Sequence, residues 1–348
     1  MKHKLPAQQK ALDLCEPWSS RNQTSKLKKV IFLIILLPLI GFAHPGIGIV
    51  KDSKGNIFYT DLKQVWKITN GNKTVVVPNV HTHELHVDKN DNLYGEGGYY
   101  DSKANKFYHY LWVYRPNGQI DTVIGMKEAY VHQDFSLARD KRGNEYYIKK
   151  FLAHSDTSHI YQKYPDGKEL IFSRGNFKSV RWLHPQEDGS LLYVSNNALY
   201  RVDTAGKIQL VKEQLGNTKP SFKFSGNSIT IWGVWQDNTK NIYIAVFSDQ
   251  TVKKIDHSGN MISIHKSKGN WAPLHGVFDN DNKLWVLESS DKNDVRVTLA
   301  GTNASTIIDK KKSISFSYFI IGFFALSILL LYLKFRYNNS ANLKRRSN

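Results

Sequence analysis

The stretch His81–Gly97, HTHELHVDKNDNLYGEG, contains the pattern that decides the fold. Apolar residues alternate on both sides of the polar string DKNDN (88–92), which predicts two short strands joined by a tight turn. The chain repeats this pattern as GIVKDSKGNIFYTD (48–61), ELHVDKNDNLYGEG (84–97), SLARDKRGNEYYIKK (136–150), WLHPQEDGSLLYVS (182–195), GVWQDNTKNIYIAV (233–246) and GVFDNDNKLWVLE (276–288). The aligned turn positions are Gly55, Asp91, Gly143, Gly189, Lys240 and Asn282, at spacings of 36, 52, 46, 51 and 42 residues.

A second pattern alternates with the first and consists of a strand, a glycine turn and another strand. Asn-Gly and Asp-Gly turns between β-rich runs are typical of hairpins. The turn glycines are Gly71, Gly118, Gly167, Gly206, Gly259 and Gly301. Each repeat therefore supplies four antiparallel strands, and six such units predict an all-β, six-bladed β-propeller over residues 44–309. The alternative, a two-sheet sandwich, would have to keep twelve turns in register by accident.

The repeated Asp-x-x-Gly-Asn-aromatic core resembles that of the NHL-repeat and gluconolactonase-like (TolB-like) six-bladed propellers. The resemblance covers all six repeats. It implies the architecture of the chain, because the core residues are structural in this superfamily. It does not imply one activity, because a propeller hosts many functions.

The first 43 residues form a separate segment. Residues 1–29 carry seven Lys and Arg against two acids, and Val30–Ala43 is an unbroken apolar run of fourteen. Such a run is short for a membrane span and typical of a signal-peptide core. Gly41 and Ala43 offer small residues for cleavage before His44. We therefore expect 1–43 to be a cytoplasmic n-region and signal peptide, with an uncleaved anchor as the alternative.

A longer apolar segment follows the propeller. Ile314–Leu333 has twenty residues without a charge, enough for a helix to cross the roughly 30 Å hydrocarbon core. The tail 334–348 carries five Lys and Arg and no acid. Positively charged flanks stay in the cytoplasm. The sequence therefore predicts one C-terminal transmembrane helix, a basic cytoplasmic tail, and a propeller on the periplasmic or extracellular side.

The charge and cysteine content exclude two classes of function. Of the net charge of +18, residues 1–43 and 314–348 contribute +5 each, which leaves +8 for the propeller region. More than half of the basicity is thus explained by membrane topology, and no nucleic-acid motif is present. The single cysteine, Cys15, precedes the first apolar run. The exported part can therefore form no disulfide and cannot use a thiol in catalysis.

A ring of candidate ligand-binding residues follows from the repeat alignment. The innermost strand of each blade lines the channel of a propeller, and its leading residues form a funnel. Five positions before the repeat Asp stand Ile47, His83, Phe135, Arg181 and Trp232, and a one-residue deletion brings His275 to this place in blade six. A ring with histidines, an arginine and aromatics indicates a ligand rather than packing alone. His132, shortly before blade three, is a further candidate.

The histidines suggest a divalent metal, Zn or Ca, as a possible cofactor. His83 and His275 lie in blades that flank blade one, and His184 lies in blade four across the channel. Neutral imidazoles on different blades suit zinc. His81 and His86, close to His83, are further candidates. The arrangement is similar to that of peptide-amidating lyase propellers, in which histidines from different blades hold zinc. The alternative is that these histidines hydrogen-bond to neighbouring blades.

Three acids near the ends of second strands are candidate proton acceptors: Asp61, Glu96 and Glu288. Acids beside histidines can act as general bases or orient the imidazole. The alternative is that they cap turns. The gluconolactonase resemblance would imply a Glu in the first blade's leading strand, but HPGIGIVKD (44–52) has none. Lactonase activity is therefore not supported by this motif.

A Tyr-rich segment, GEGGYYDSKANKFYHY (95–110), is predicted as a long loop that carries Tyr99 and Tyr100. Exposed loops on rigid scaffolds often determine specificity. The sequence predicts a membrane-anchored, exported propeller that binds a small molecule, glycan or protein through its funnel and this loop. The alternative function is a metal-dependent hydrolase or lyase, either lactonase-like or amidating-lyase-like.

Overall fold

The computed structural model describes residues 46–128, 136–150, 158–177, 180, 182–217, 231–301 and 307–308. These residues form six antiparallel sheets, each built from consecutive strands, which confirms the predicted six-bladed propeller. The predicted signal segment 1–43, transmembrane helix 314–333 and tail 334–348 lie outside the described residues. Within the described part of the chain, no helix has the length and apolar character needed to cross a membrane.

The first three blades contain strands β1 to β11. Their bounds are β1 (Ile49–Lys51), β2 (Ile57–Thr60), β3 (Val65–Thr69), β4 (Asn72–Val77), β5 (Leu85–Val87), β6 (Leu93–Asp101), β7 (Lys106–Tyr114), β8 (Ile120–Glu128), β9 (Glu145–Lys150), β10 (Ser158–Lys163) and β11 (Glu169–Ser173). Among its described residues, blade three has three strands, and a single bridge between Arg139 and Glu145 lies at the place of the inner strand.

The last three blades have four strands each. Their bounds are β12 (His184–Pro185), β13 (Leu191–Ser195), β14 (Ala198–Val202), β15 (Ile208–Lys212), β16 (Ile231–Gln236), β17 (Ile242–Val246), β18 (Thr251–Ile255), β19 (Met261–Lys266), β20 (Trp271–Phe278), β21 (Leu284–Ser290), β22 (Val295–Leu299) and β23 (Ile307–Ile308). In every blade the chain runs from the inner strand outward.

The repeat Asp closes the turn between the first and second strands. In blade one, the Asp52 carboxylate accepts hydrogen bonds from the backbone N of Asn56 at 2.8 Å and from its Nδ2 at 2.6 Å, and Gly55 N donates to Asp52 O at 3.1 Å. The aromatic residue of the repeat donates to the same carboxylate in other blades, from Tyr94 to Asp88, Tyr146 to Asp140 and Tyr243 to Asp237. The repeated residues are therefore one local hydrogen-bonded unit.

All twelve predicted turn positions adopt positive φ. In the first set φ is 83° at Gly55, 60° at Asp91, 83° at Gly143, 83° at Gly189, 64° at Lys240 and 60° at Asn282. In the second set φ is 77° at Gly71, 90° at Gly118, 88° at Gly167, 81° at Gly206, 80° at Gly259 and 75° at Gly301. This left-handed region explains why glycine occupies three of the six positions in the first set and all six in the second.

The prediction that the Tyr-rich segment 95–110 forms a long loop is wrong. Residues 95–101 and 106–110 belong to β6 and β7, two nine-residue strands that pair as far as Asp101 and Lys106. The physical reason is cross-strand packing. A Cβ on Gly95 would lie 2.1 Å from the Trp112 ring, and a Cβ on Gly97 would lie 2.1 Å from the Tyr110 ring. The glycines thus leave room for aromatic rings of the neighbouring strand.

The ring closes between blades six and one. Lys51 Nζ donates to Asn280 Oδ1 at 3.2 Å, and Asn280 Nδ2 donates to the backbone oxygen of Ser53 at 3.2 Å. One hydrophobic cluster continues through blades five, six and one, with Trp235, Leu274 and Ile49 all buried. Among the described residues, closure therefore depends on side-chain packing and side-chain hydrogen bonds, because blade six contains only strands from its own end of the chain.

Candidate functional site

A cavity lies between the inner strands of the propeller. This axial cavity has a volume of about 460 Å³. Every blade contributes to its wall: Lys51 from blade one, Glu84 and His86 from blade two, Arg139 from blade three, His184 from blade four, Trp235 from blade five and His275 from blade six. The wall continues to Asp237 and Asn238. The axial cavity therefore opens at the face with the first-to-second-strand turns, here called the Asp-turn face.

A smaller cavity, with a volume of about 60 Å³, lies towards the leading ends of the inner strands. It is lined by Ile231 and Trp232 of blade five and by Trp182, which precedes blade four. His184 and His275 border both cavities. These two histidines therefore stand at the narrowing between them.

His184 and His275 are neighbours, as the hypothesis of a shared site requires. Their ring centroids are 6.5 Å apart, and the His275 ring lies 5.0 Å from the Trp235 ring. Two glycines make this packing possible. A Cβ on Gly233 would lie 2.5 Å from His275 Cδ2, and a Cβ on Gly276 would lie 2.6 Å from Trp235 Cζ2.

The imidazoles of the axial cavity are neutral at physiological pH. Burial lowers the pKa of His184 to about 4. Burial and the nearby His184 lower the pKa of His275 to about 3. Burial and the charge of Arg139 lower the pKa of His86 to about 4. Neutral rings can each donate and accept one hydrogen bond, so they suit a polar ligand.

Two buried indole N–H groups point to a missing acceptor. Trp235 Nε1 and Trp182 Nε1 are buried and have no hydrogen-bond partner among the described residues. Trp235 borders the axial cavity, and Trp182 borders the smaller one. Buried polar groups in native proteins are nearly always satisfied by protein, water or ligand. These two donors are therefore left unsatisfied by the described residues, in side chains that border the cavities.

Blade two holds a second polar cluster around Glu96. The backbone N of His83 donates to Glu96 Oε1 at 2.8 Å, and His83 Nδ1 lies 3.4 Å from the same oxygen. The His81 ring lies 4.6 Å from the His83 ring, and His81 Nδ1 lies 2.9 Å from the backbone oxygen of Leu62. Burial, followed by repulsion from Glu96, raises the pKa of Glu84 well above its ordinary value. The raised pKa disfavours the negative charge of Glu84, which lines the axial cavity.

The predicted set of three metal-binding histidines is not brought together in this structure. His184 and His275 share a cavity wall, whereas His83 contacts Glu96 in blade two and borders neither cavity. His81 is held at Leu62, and His86 lines the axial cavity from blade two. Within the described ranges, no group of three or more His, Cys, Asp or Glu side chains is arranged to hold a metal ion.

Of the three predicted proton acceptors, Asp61 is held by hydrogen bonds within its own turn. Its Oδ1 accepts from the backbone N of Lys63 at 2.9 Å and of Gln64 at 3.0 Å, and its Oδ2 accepts from Trp66 Nε1 at 3.0 Å. Asp61 therefore caps the turn into β3. It borders neither cavity.

Glu288 is engaged inside blade six. It is fully buried and accepts from Arg296 Nε at 2.5 Å, from Ser267 Oγ at 2.5 Å and from His265 Nε2 at 3.0 Å. Burial alone would raise the pKa of Glu288, but the hydrogen bonds from His265 and Ser267 and the charge of Arg296 outweigh it and lower the pKa. Glu288 is thus a buried ion-pair partner of Arg296 that also contacts His265, whereas Glu96 lies beside His83, one of the predicted metal-binding histidines.

The predicted ligand-binding residues fall into three groups. Phe135, His132 and Arg181 lie outside the described residues. Trp232 is buried, with its ring 5.9 Å from that of Phe247, and lines the smaller cavity. The paired tyrosines Tyr99 and Tyr100, which are 54% and 55% exposed, lie on the blade-two hairpin rather than at the axial cavity.

Several lining residues were missed by the sequence reasoning, namely Lys51, Glu84, Arg139 and Trp235. They stand one to four positions before the repeat Asp, whereas the predicted ring was taken five positions before it. The same repeat alignment contained the signal, because all four residues stand between the predicted ring position and the repeat Asp. The alignment did not show at which position along each inner strand neighbouring blades are far enough apart to form the cavity.

Comparisons with known proteins support the fold. No protein-family model matches the chain, and no curated protein matches it. An auxiliary nutrient binding protein from Bacteroides ovatus is 12% identical, with a TM-score of 0.50, and the match covers 73% of this chain and 69% of that one. A gluconolactonase from Xanthomonas campestris is 11% identical, with a TM-score of 0.49 and coverage of 73% and 85%.

A catalytically inactive virginiamycin B lyase from Staphylococcus aureus, solved with quinupristin, is 16% identical, with a TM-score of 0.44 and coverage of 79% and 88%. Sequence identities this low show the fold alone. The structural neighbours include gluconolactonase and virginiamycin B lyase propellers, as the resemblance predicted, while the six-bladed fold itself is confirmed by the six sheets of this structure. The function has to be argued from the site of this chain.

Proposed function

We propose that this chain is a membrane-anchored, exported propeller that binds a small organic ligand in its axial cavity. The observation that carries the proposal is that the Trp235 side chain borders this cavity and its buried indole N–H has no acceptor among the described residues. A buried donor left without an acceptor costs about 1–3 kcal/mol. A ligand oxygen that accepted a hydrogen bond from the Trp235 N–H would remove this cost and so increase the affinity of the ligand.

The other groups in the wall favour a ligand that carries acceptors or negative charge. Lys51 places an ammonium group there, and its hydrogen bond at 3.2 Å goes to the neutral amide of Asn280. Burial and the neighbouring Glu96 raise the pKa of Glu84, so a negative charge is disfavoured there. The Asp237 carboxylate is already engaged by Asn241 and Tyr243. The wall therefore combines the positive charge of Lys51 with an Asp237 carboxylate that is already occupied, which suits a carboxylate or another organic anion.

The metal-dependent hydrolase or lyase is less well supported. A zinc site needs three protein ligands that converge on one ion. His184 and His275 supply two candidate ligands, but the described residues offer no third that lies with them. Binding requires only the groups already present in the cavity wall, so the binding function is the stronger proposal.

The Trp235 donor gives a direct test of ligand binding. The purified protein should be screened by thermal shift against organic acids and neutral sugars, and the affinity of each hit measured by calorimetry. Trp235→Phe keeps an aromatic ring but removes the N–H, so we expect affinity for an anionic hit to fall roughly tenfold or more. The matched control is Trp66→Phe, because the Trp66 N–H donates to Asp61 away from the cavity. Equal losses in both variants, or no hit among the acids, would contradict the proposal.

The membrane anchor has its own test. A reporter fused after Asn348 should be active only in the cytoplasm, and one inserted at Gly301 only outside it, because basic flanks stay inside. Gly301 is a suitable site, since it lies on an exposed turn and a Cβ there would have no neighbour within 4 Å. Cytoplasmic activity of the Gly301 fusion would show that the proposed topology is wrong.

A further inference from the structure

The last described strand and the longest hairpin reach the same face of the propeller. In each blade, consecutive strands are antiparallel and follow one another from the inside outward. The first strand runs towards the Asp-turn face, so the second strand runs away from it. The connection between the second and third strands therefore lies at the opposite face, and so does the end of the outer strand. In blade two this connection joins β6 to β7, and in blade six the chain leaves the propeller after β23. We call this side the hairpin face.

The blade-two hairpin extends beyond the equivalent strands. β6 has nine residues and β2 has four, although both begin five positions after the repeat Asp. At about 3.4 Å per residue, the tip projects up to roughly 17 Å further than in blade one. The tip is closed by Asp101, whose Oδ1 accepts from the backbone N of Lys103 at 2.9 Å and of Ala104 at 3.1 Å. It is thus an ordered turn.

The side chains at this tip are those that favour a membrane interface. Tyr99, Tyr100 and Met126 are more than half exposed, at 54%, 55% and 59%. Lys103 is exposed beside them, and the Lys106 ammonium pairs with Glu128 at 2.6 Å. Tyrosine has an apolar body with a polar end, and lysine can extend its ammonium towards headgroups. Both residue types are enriched where proteins meet the lipid headgroups.

We infer that the hairpin face lies against the lipid bilayer, with the tip 99–106 docked among the headgroups. The inference rests on the proposed anchor at residues 314–333. Only five residues separate Ile308 at the end of β23 from Ile314 at the start of the anchor. Such a link spans at most roughly 20 Å, which matches the projection of the hairpin. Three of the five residues are Lys310 to Lys312, which suits an anionic lipid surface.

This orientation determines how the ligand reaches its site. The axial cavity opens at the Asp-turn face, which is opposite the hairpin face. With the hairpin face on the bilayer, the mouth of the cavity points away from the membrane and towards the solvent. The docked propeller therefore presents its cavity to soluble ligands rather than to lipids.

The test measures the depth of two labelled sites in the full chain. The single Cys15 is replaced by Ser, and one new thiol is introduced by Lys103→Cys at the tip or by Lys89→Cys at the Asp-turn face of the same blade. Both lysines are exposed residues of blade-two turns, so they form a matched pair. Each variant is labelled with an environment-sensitive fluorophore and placed in vesicles of phosphatidylcholine and phosphatidylglycerol that contain a spin-labelled quencher lipid. We expect several-fold stronger quenching at Lys103→Cys than at Lys89→Cys.

Variants of the tip identify the groups that dock. Replacing Tyr99 and Tyr100 by Ser should reduce the quenching at Lys103→Cys, whereas Ile120→Ser, at the other end of β8, should not. If carbonate does not extract the chain but quenching is equal at Lys103→Cys and Lys89→Cys, the docking is wrong and the membrane anchor is retained. A chain that carbonate extracts would overturn both the anchor and the docking. Unchanged quenching after loss of the tyrosines would overturn their part in it.

Discussion

Replacing Gly206 by Ala is expected to lower the free energy of unfolding by about 3 kcal/mol, and the same change at Gly259 by about 1 kcal/mol. Both glycines occupy the same turn in adjacent blades, with φ of 81° and 80°. An alanine there is strained at either site because its Cβ disfavours the left-handed region. At Gly206 the Cβ would also lie 2.1 Å from the backbone oxygen of Phe172, whereas at Gly259 it would meet nothing within 4 Å.

The contact at Gly206 joins two blades, which is why it should matter. Phe172 belongs to the outer strand of blade three, and Ser173 Oγ donates to the Gly206 carbonyl at 2.8 Å. Phe172 lies at the bulge of β11 between the paired residues Ile171 and Ser173, so its backbone oxygen has less freedom to move than the end of a flexible side chain. The measurement is urea unfolding of the 44–309 segment. The two variants are compared with the same dependence of the unfolding free energy on urea concentration, so that a shift of the midpoint reports stability. Equal losses at the two sites would show that blades three and four can separate without cost.

Acid is expected to destabilise the propeller between about pH 6.5 and pH 4, and His184→Gln is expected to reduce this sensitivity. The pKa is lowered to about 4 for His86, to about 4 for His184 and to about 3 for His275. Below about pH 6.5 the unfolded chain takes up protons on these histidines, while the folded protein keeps them neutral. The free energy of unfolding therefore falls with pH, by at most about 1.4 kcal/mol per pH unit for each histidine.

The comparison with a variant isolates the contribution of one histidine. Glu84 changes stability in the opposite sense, because its raised pKa means that the folded state binds the extra proton. The quantity to measure is therefore the difference between parent and His184→Gln, from urea unfolding at several pH values. His257→Gln, on an exposed turn, is the matched control and should change the slope less. An unchanged slope in His184→Gln would show that His184 does not stay neutral in the folded protein.

The site was only partly predictable from the sequence. Repeat alignment placed His184 and His275 at the channel, and the structure brings them together with ring centroids 6.5 Å apart. It also placed His83 there, but that imidazole lies at Glu96 within blade two. Whether a histidine at this position reaches the channel depends on the spacing between neighbouring blades at that point of the inner strand. Neighbouring side chains from other blades set that spacing, and no local pattern records it.

Some features were determined by the sequence alone. The number of blades, the strand order and the twelve turn positions follow from short repeated units, because the Asp carboxylate, the left-handed turn residue and the Asn amide satisfy one another within five residues. Such local hydrogen bonds form in the same way wherever the pattern recurs. The sequence therefore carries them without reference to the rest of the chain.

Other features were decided only by the tertiary structure. Residues 95–110 contain glycines and polar residues typical of a loop, yet they form a hairpin because rings from β7 cover the glycines of β6. Trp235 and His275 line the axial cavity because Gly233 and Gly276 leave room for their rings. Both results depend on the volume left between strands that are distant in sequence or in different blades. That volume is a property of the packed propeller, because it exists only after the blades have come together.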